Sequence, residues 1–387
     1  MTYQPNYTLP PDWVEAIREG GLDALPDLIR VLLNAAMHAE RQLYLGVEPY
    51  QRSDQRRDQA NGYKPKTIKT RLGDITFDIP QVREGDFYPQ ALTKGLRSER
   101  ALTLALAEMY VQGVSTRKVA RVLQTLCGTE VSSTQVSRAA AQLDETLAAW
   151  RSRPLSACPY LILDARYETV RQDGQSRDAA VLVAIGIGED GKRRILGVSV
   201  SVSEHEVHWR TFLQSLVSRG LSGVQLIVSD AHEGLGAARR AVFGGVPWQR
   251  CQFHLQQNAQ AYVTRQELRS EVAADVRAIF HAPNRAEADT LLSKTVQKYV
   301  KTLPKLAQWL QEAVPEGLTV LALPRPHQRL LRTTNMLERV NQEIRRRTRV
   351  VGIFPNEAAC LRLVSAVLME ISDDWETGRV YLTFSSA

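Results

Sequence analysis

Two stretches decide how this chain is read: Tyr160-Leu161-Ile162-Leu163-Asp164 and Val224-Gln225-Leu226-Ile227-Val228-Ser229-Asp230. Each is a short run of strand-forming apolar residues that stops at an aspartate. Between them lie two β-rich arms, Ala179 to Ile187 and Arg194 to Val202, around Asp190-Gly191, a strong hairpin signal. A helical stretch follows with Trp209, Phe212, Leu213 and Leu216 on one face. The order is therefore strand, strand, strand, helix, strand.

That order opens a ribonuclease-H-like sheet, and several other mixed folds open the same way. Downstream, Leu255 to Arg332 is mostly helical, with Val272, Val276 and Ile279 in one stretch and Leu303, Leu306 and Leu310 in another; we read it as an insertion. A last helix opens near Asn335. It carries Glu338, Asn341, Gln342, Arg345 and Arg349 at spacings of three and four, so these residues share a face.

Upstream, residues 1–60 have helical periodicity, and residues 61–94 switch to period two. Ile68, Thr70 and Leu72, a Gly73-Asp74 turn, and then Ile75, Phe77 and Ile79 read as a small hairpin with basic residues on one arm. Residues 95–152 return to helix, and their centre has the form of a helix-turn-helix. Ser115 is placed to cap the first helix and Gly128 to make the turn. Ser132 and Gln135 form a capping box at the start of the second. Arg117, Lys118, Ser133, Thr134, Gln135 and Arg138 are of the types that reach base edges or phosphates, so DNA binding is expected of them. The expected fold class is thus α/β: a ribonuclease-H-like mixed sheet (153–255 and 333–387) interrupted by an all-helical insertion (256–332), preceded by a mainly helical N-terminal DNA-binding region.

Bulk properties narrow the function. At 387 residues the chain exceeds the size of one core. A net charge of +7 leans toward a polyanionic partner. Cys127, Cys158, Cys251 and Cys360 lie far apart, against both a disulfide framework and a four-thiolate zinc site. No run reaches the ~20 apolar residues of a membrane span, and Met1 to Pro11 lacks the pattern of a secretory signal. A cytoplasmic, nucleoid-associated protein with no membrane partner is expected.

Some motifs mislead. Gly186 to Gly191 matches a dinucleotide fingerprint, but strand-forming residues flank it on both sides, so a turn is expected. His205-Glu206-Val207-His208 falls one residue short of a zinc-protease motif. The acids form a better candidate site. Neighbouring strands lie ~4.8 Å apart, so Asp164 and Asp230 meet if their strands pair, and Glu338 is placed to complete a site for two ions ~3.5–4 Å apart. Three carboxylates against two Mg²⁺ leave about one positive charge, suited to phosphate. Each acid also has a plain structural alternative: Asp164 as a strand end, Asp230 as a helix cap boxed with Glu233, and Glu338 boxed with Asn335.

The blocks around these acids resemble the bacterial insertion-sequence transposases of the Mutator family. They are Leu161 to Tyr167, Ala184 to Gly186, Ile195 to Gly197, Ser203-Glu204 with Trp209, Arg219 to Val224, Val228 to Leu235, Trp248 to His254, and Thr334 to Asn341 running on to Asn356. With Asn61-Gly62 and Ser115 to Arg117, the likeness covers nearly the whole chain. It implies a DDE transposase with Asp164, Asp230 and Glu338 as catalytic acids holding Mg²⁺, or Mn²⁺ as a substitute. It implies a homodimer acting on double-stranded DNA, both terminal inverted repeats and target. Water cuts at the element's end, and the freed 3′-hydroxyl then attacks a second phosphodiester. Cys251 and His254 fall on the family's Cys-x-x-His motif as active-site support. Asn341, Arg345, Arg346 and Arg349 are expected to contact DNA. Two positions depart from the pattern: Glu168 and Thr169 stand where a lysine is common, and Gln257 where an arginine is.

Overall fold

The structure, a computed structural model, describes residues 10–47, 53–95, 97–202 and 205–384. The readings at the extreme N-terminus before Pro10 and at Ser203-Glu204 lie outside the described residues. The chain divides into two compact units, Met1–Gln142 and Leu143–Ala387.

In the first unit, helices α1 (Pro11–Gly20) and α2 (Leu25–Leu45) precede a hairpin of β1 (Ala60–Thr70) and β2 (Gly73–Val82). Ile75, Phe77 and Ile79 of β2 are buried with Ile68 and with Met37 of α2, while Asp74, Thr76 and Asp78 between them are exposed. The pairing of Thr70 with Gly73 puts the turn at Arg71-Leu72, two residues earlier than its glycine suggests. Gly73, at φ +105°, instead makes the left-handed exit into β2. Three helices follow: α3 (Arg100–Val111), α4 (Thr116–Cys127) and α5 (Ser133–Ala141). Ser115 caps α4 by accepting the Lys118 N–H at 3.3 Å, and Gly128 ends it at φ +63°. At α5 the expected box is present, with Ser132 and Gln135 bonding each other's backbone amides. Val119, Leu123, Val136 and Ala139 form the shared core with α3.

The second unit opens with α6 (Asp144–Ser152), which helical periodicity groups with residues 95–152. Here it is tied to the last helix of the chain, where Arg362 grips Asp144 through two bonds of 2.6 Å. Strands β3 (Tyr160–Gln172), β4 (Gln175–Ile187) and β5 (Arg193–Ser201) run antiparallel, then come α7 (Glu206–Ser218), β6 (Leu226–Ser229), α8 (Glu233–Val242) and β7 (Trp248–Arg250). The sheet order is β5-β4-β3-β6-β7, with β6 and β7 parallel to β3. Gly191, at φ +73°, sits in the turn between β4 and β5, so the glycine run there is a hairpin and not a dinucleotide-binding turn.

Side chains alternate across this sheet. Leu161, Leu163, Leu182 and Ile227 pack against Trp209, Phe212 and Leu235 of α7 and α8. The opposite face is covered by α14 (Asn335–Thr348) and α15 (Glu357–Thr377). Between β7 and α14 stand α9 (Gln252–Ala261), α10 (Arg269–Phe280), α11 (Arg285–Tyr299), α12 (Pro304–Ala313) and α13 (Arg325–Leu331). Leu255, Val272, Val276, Ile279, Leu306 and Leu310 give this helical segment a core of its own. Among the described residues no helix is long and apolar enough to cross a membrane.

Candidate active site

The parallel register between β3 and β6 pairs Tyr160 with Leu226, Leu161 with Ile227 and Ile162 with Val228. Asp164 and Asp230 each lie two residues past that last pair. Period-two alternation puts them on the same face, on adjacent strands. That face carries α14, and with it Glu338.

None of the three acids takes its plain structural role. β3 does not end at Asp164: it runs on to Gln172, because β4 keeps pairing with it after β6 has stopped. The cap of α8 is His232, whose ring accepts the Leu235 N–H at 3.4 Å, so Asp230 does not cap that helix. The cap of α14 is Thr334, with no side-chain cap bond to the helix, so Glu338 is in no capping box.

Further contacts join the acids. The Asn341 amide Nδ2 donates to Asp164 Oδ2 at 2.9 Å, while its Oδ1 is buried with no hydrogen-bond partner among the described residues. His254 stands between the other two acids, with Nδ1 3.8 Å from Asp230 and Nε2 3.8 Å from Glu338. The neighbouring Cys251 thiol, together with the charges of Asp230 and Asp164, pushes His254 up to about 9 against the opposing effect of burial. Burial works upward on the Cys251 thiol, but bonds from His254 and Thr334 outweigh it and leave the thiol below its ordinary value. Thr334 donates both its N–H, at 3.4 Å, and its hydroxyl, at 3.3 Å, to Cys251 Sγ. This buried contact ties the start of α9 to the start of the glutamate helix.

A second clasp holds α14 on β3. Asp164, Arg166 and Glu168 alternate along one face of the strand. Arg166 donates to the Asn341 carbonyl and pairs with Glu168 at 2.6 Å, and Glu168 accepts the Thr348 hydroxyl at 2.9 Å. Glu168, which stands where a lysine is common, is thus a half-buried partner for Arg166 and not merely a lost positive charge. Sequence reasoning misses this clasp and Thr334; the period-two spacing of Asp164, Arg166 and Glu168 is its available signal.

An open groove of about 710 Å³ runs beside the clasp, lined by Tyr167, Glu338, Asn341, Arg345 and Arg349 among others. Arg345 and Arg349 are exposed there, at the spacing expected of Glu338's helix face. Arg346 points elsewhere and pairs with Glu343 at 2.6 Å. In the first unit Arg117, Lys118, Ser133, Thr134 and Arg138 are exposed, and Gln135 and Arg138 line a groove of about 320 Å³ with Lys69 and Arg97.

Asp164, Asp230 and Glu338 offer carboxylate oxygens to divalent ions. Among the described residues no three His, Cys, Asp or Glu side chains converge on one ion. The donors are hard oxygens, as Mg²⁺ and Mn²⁺ prefer.

This arrangement accompanies a match of residues 14–378 to the family model for transposases of the Mutator family, and the chain belongs to that family. It is 60% identical, over 96% of both chains, to the transposase for insertion sequence element IS406 of Burkholderia multivorans. It is 41% identical to the transposase for ISRM5 of Rhizobium meliloti, over 93% of this chain and 90% of that one. With the transposase for IS256 in transposon Tn4001 of Staphylococcus aureus the identity is 34%, over 98% and 99%.

Proposed function

We propose that this chain is a DDE transposase. It binds the terminal inverted repeats of an insertion sequence through a helix-turn-helix at α4 and α5. It cuts and joins DNA at Asp164, Asp230 and Glu338 on a ribonuclease-H-like sheet, and acts as a homodimer on paired ends. The observation that supports this reading is the β3–β6 register, in which both aspartates lie two residues past the last pair. The sheet order and the separate core of the helical segment support the fold assignment.

Mg²⁺, or Mn²⁺ in its place, would be held by the three acids and would supply the positive charge that activates an attacking oxygen and stabilises the leaving one. The chain's own residues do the rest. Asn341 fixes the Asp164 carboxylate, and the Arg166–Glu168–Thr348 clasp fixes α14, so Glu338 approaches at a set distance. His254, cationic beside Asp230 and Glu338, keeps those acids from repelling one another before ions and DNA arrive. Arg345 and Arg349 hold phosphates along the groove. No side chain is asked to be a nucleophile, so no covalent protein–DNA intermediate forms.

A joining assay with pre-cut element ends, target DNA and Mg²⁺ tests this. The parent chain should link ends to target. Asp164→Ala, Asp230→Ala and Glu338→Ala should each drop joining below detection while DNA binding persists. Joining that survives all three substitutions would refute the assignment, and nicking without joined products would make the chain a nuclease instead.

A further inference from the structure

We propose that Arg325, Arg329 and Arg332 form a second contact for the phosphodiester backbone of the duplex seated at the acids, separate from the arginines of α14. The proposal rests on the transposase reading above. Spaced four and three apart at α13 and its C-terminal end, the three arginines share one helix face. They line a groove of about 260 Å³ whose walls include His281, Gln252 and Phe280, and no carboxylate lines it.

Several arginines elsewhere in this unit are neutralised by a neighbouring carboxylate. Arg166 has Glu168, Arg194 has Asp190, Arg250 has Glu316 and Arg362 has Asp144. Among the described residues none of the three groove arginines is in an ion pair. His281 does not compensate for them. Its Nδ1 lies 2.8 Å from the Arg277 carbonyl and so carries the proton, which leaves Nε2 to accept from Arg332 at 3.4 Å. Three like charges gathered on one face without counter-charge oppose folding, and an incoming polyanion relieves them.

The groove also adjoins the acids. The Arg332 carbonyl accepts the Gln252 N–H at 2.9 Å, and His254 follows two residues along the same helix, a rise of about 3 Å. The planar guanidinium fork matches phosphate oxygens in pairs, and no exposed Phe, Tyr or Trp ring lines the groove to stack on bases. The contact is therefore with backbone and independent of sequence.

The test is the salt dependence of binding to duplex DNA of arbitrary sequence, for the parent chain and for Arg325→Gln/Arg329→Gln. Both positions are exposed, so the thermal unfolding midpoint should not move. The slope of log K against log salt should shrink by about 2, one unit for each phosphate no longer neutralised. An unchanged slope would overturn the proposal. So would an unchanged slope with weakened self-association, which would assign the groove to an acidic protein surface. Failure of the parent chain to bind DNA at all would overturn the transposase reading along with it.

Discussion

The β1–β2 hairpin of the first unit and the β3–β4–β5 layer of the second are both antiparallel, yet they bury their residues in different ways. In β2 burial alternates, Ile75, Phe77 and Ile79 inward and Asp74, Thr76 and Asp78 outward, because only one face has a helix on it. In β4 every residue from Ala179 to Ile187 is buried, because helices cover both faces. A sheet clad on both sides can hold carboxylates at fixed positions between its strands and a covering helix; a one-sided hairpin leaves its polar residues facing solvent. The two aspartates accordingly stand on β3 and just past β6, where antiparallel and parallel pairing meet.

The largest expected break of this contrast is Leu182→Asp. It places an unpaired charge against Trp209 and Phe212, which should cost several kcal/mol and abolish cooperative unfolding of the second unit by calorimetry. Phe77→Ala in the hairpin should cost about 3–5 kcal/mol and be felt in the first unit. Its outward neighbour Thr76→Ala, which removes only the 2.8 Å hydroxyl pairing with Thr67, should cost about 0.2–1 kcal/mol by denaturant titration.

The smallest effect concerns Glu343, which bonds from Arg346 and then Arg347 hold at about 2. A depressed folded value means this contribution is present above the ordinary carboxylate range and is lost as pH falls through about 2. The stability gap between the parent and Glu343→Gln should therefore be constant near neutrality and close on acidification. Glu343 is partly solvent-exposed, so the gap should be small.

Much of this is legible in the chain itself. The caps at Ser115 and Ser132, the left-handed Gly128 and the alternation in β2 are local signals, and local hydrogen bonds decide them. The hairpin at Asp190-Gly191 is equally plain. Its counterpart at Asp173-Gly174, with φ +50° and +78°, escapes the sequence pattern, which ends β3 at Asp164. The mainly polar run from Glu168 to Gln172, with Val170 its one apolar residue, hides a strand that pairing with β4 reveals. The helix α15 goes unread as well. Asn356 caps it by accepting the Ala359 N–H at 2.8 Å, and Cys360, Leu363, Val364 and Val367 are its buried face. Within the site, the acids are visible as motif positions. That Asn341 bonds Asp164, and that Thr334 bonds Cys251 across 83 positions, depends on packing that no local pattern encodes.

Anomalous diffraction from crystals of the chain grown with pre-cut DNA and Mn²⁺ asks directly whether three distant carboxylates act as one metal site. Manganese peaks bounded by Asp164, Asp230 and Glu338, absent when Asp164 is changed to Ala, are the predicted result. Manganese bound elsewhere, with these carboxylates holding only protein partners while DNA is in place, would contradict the account.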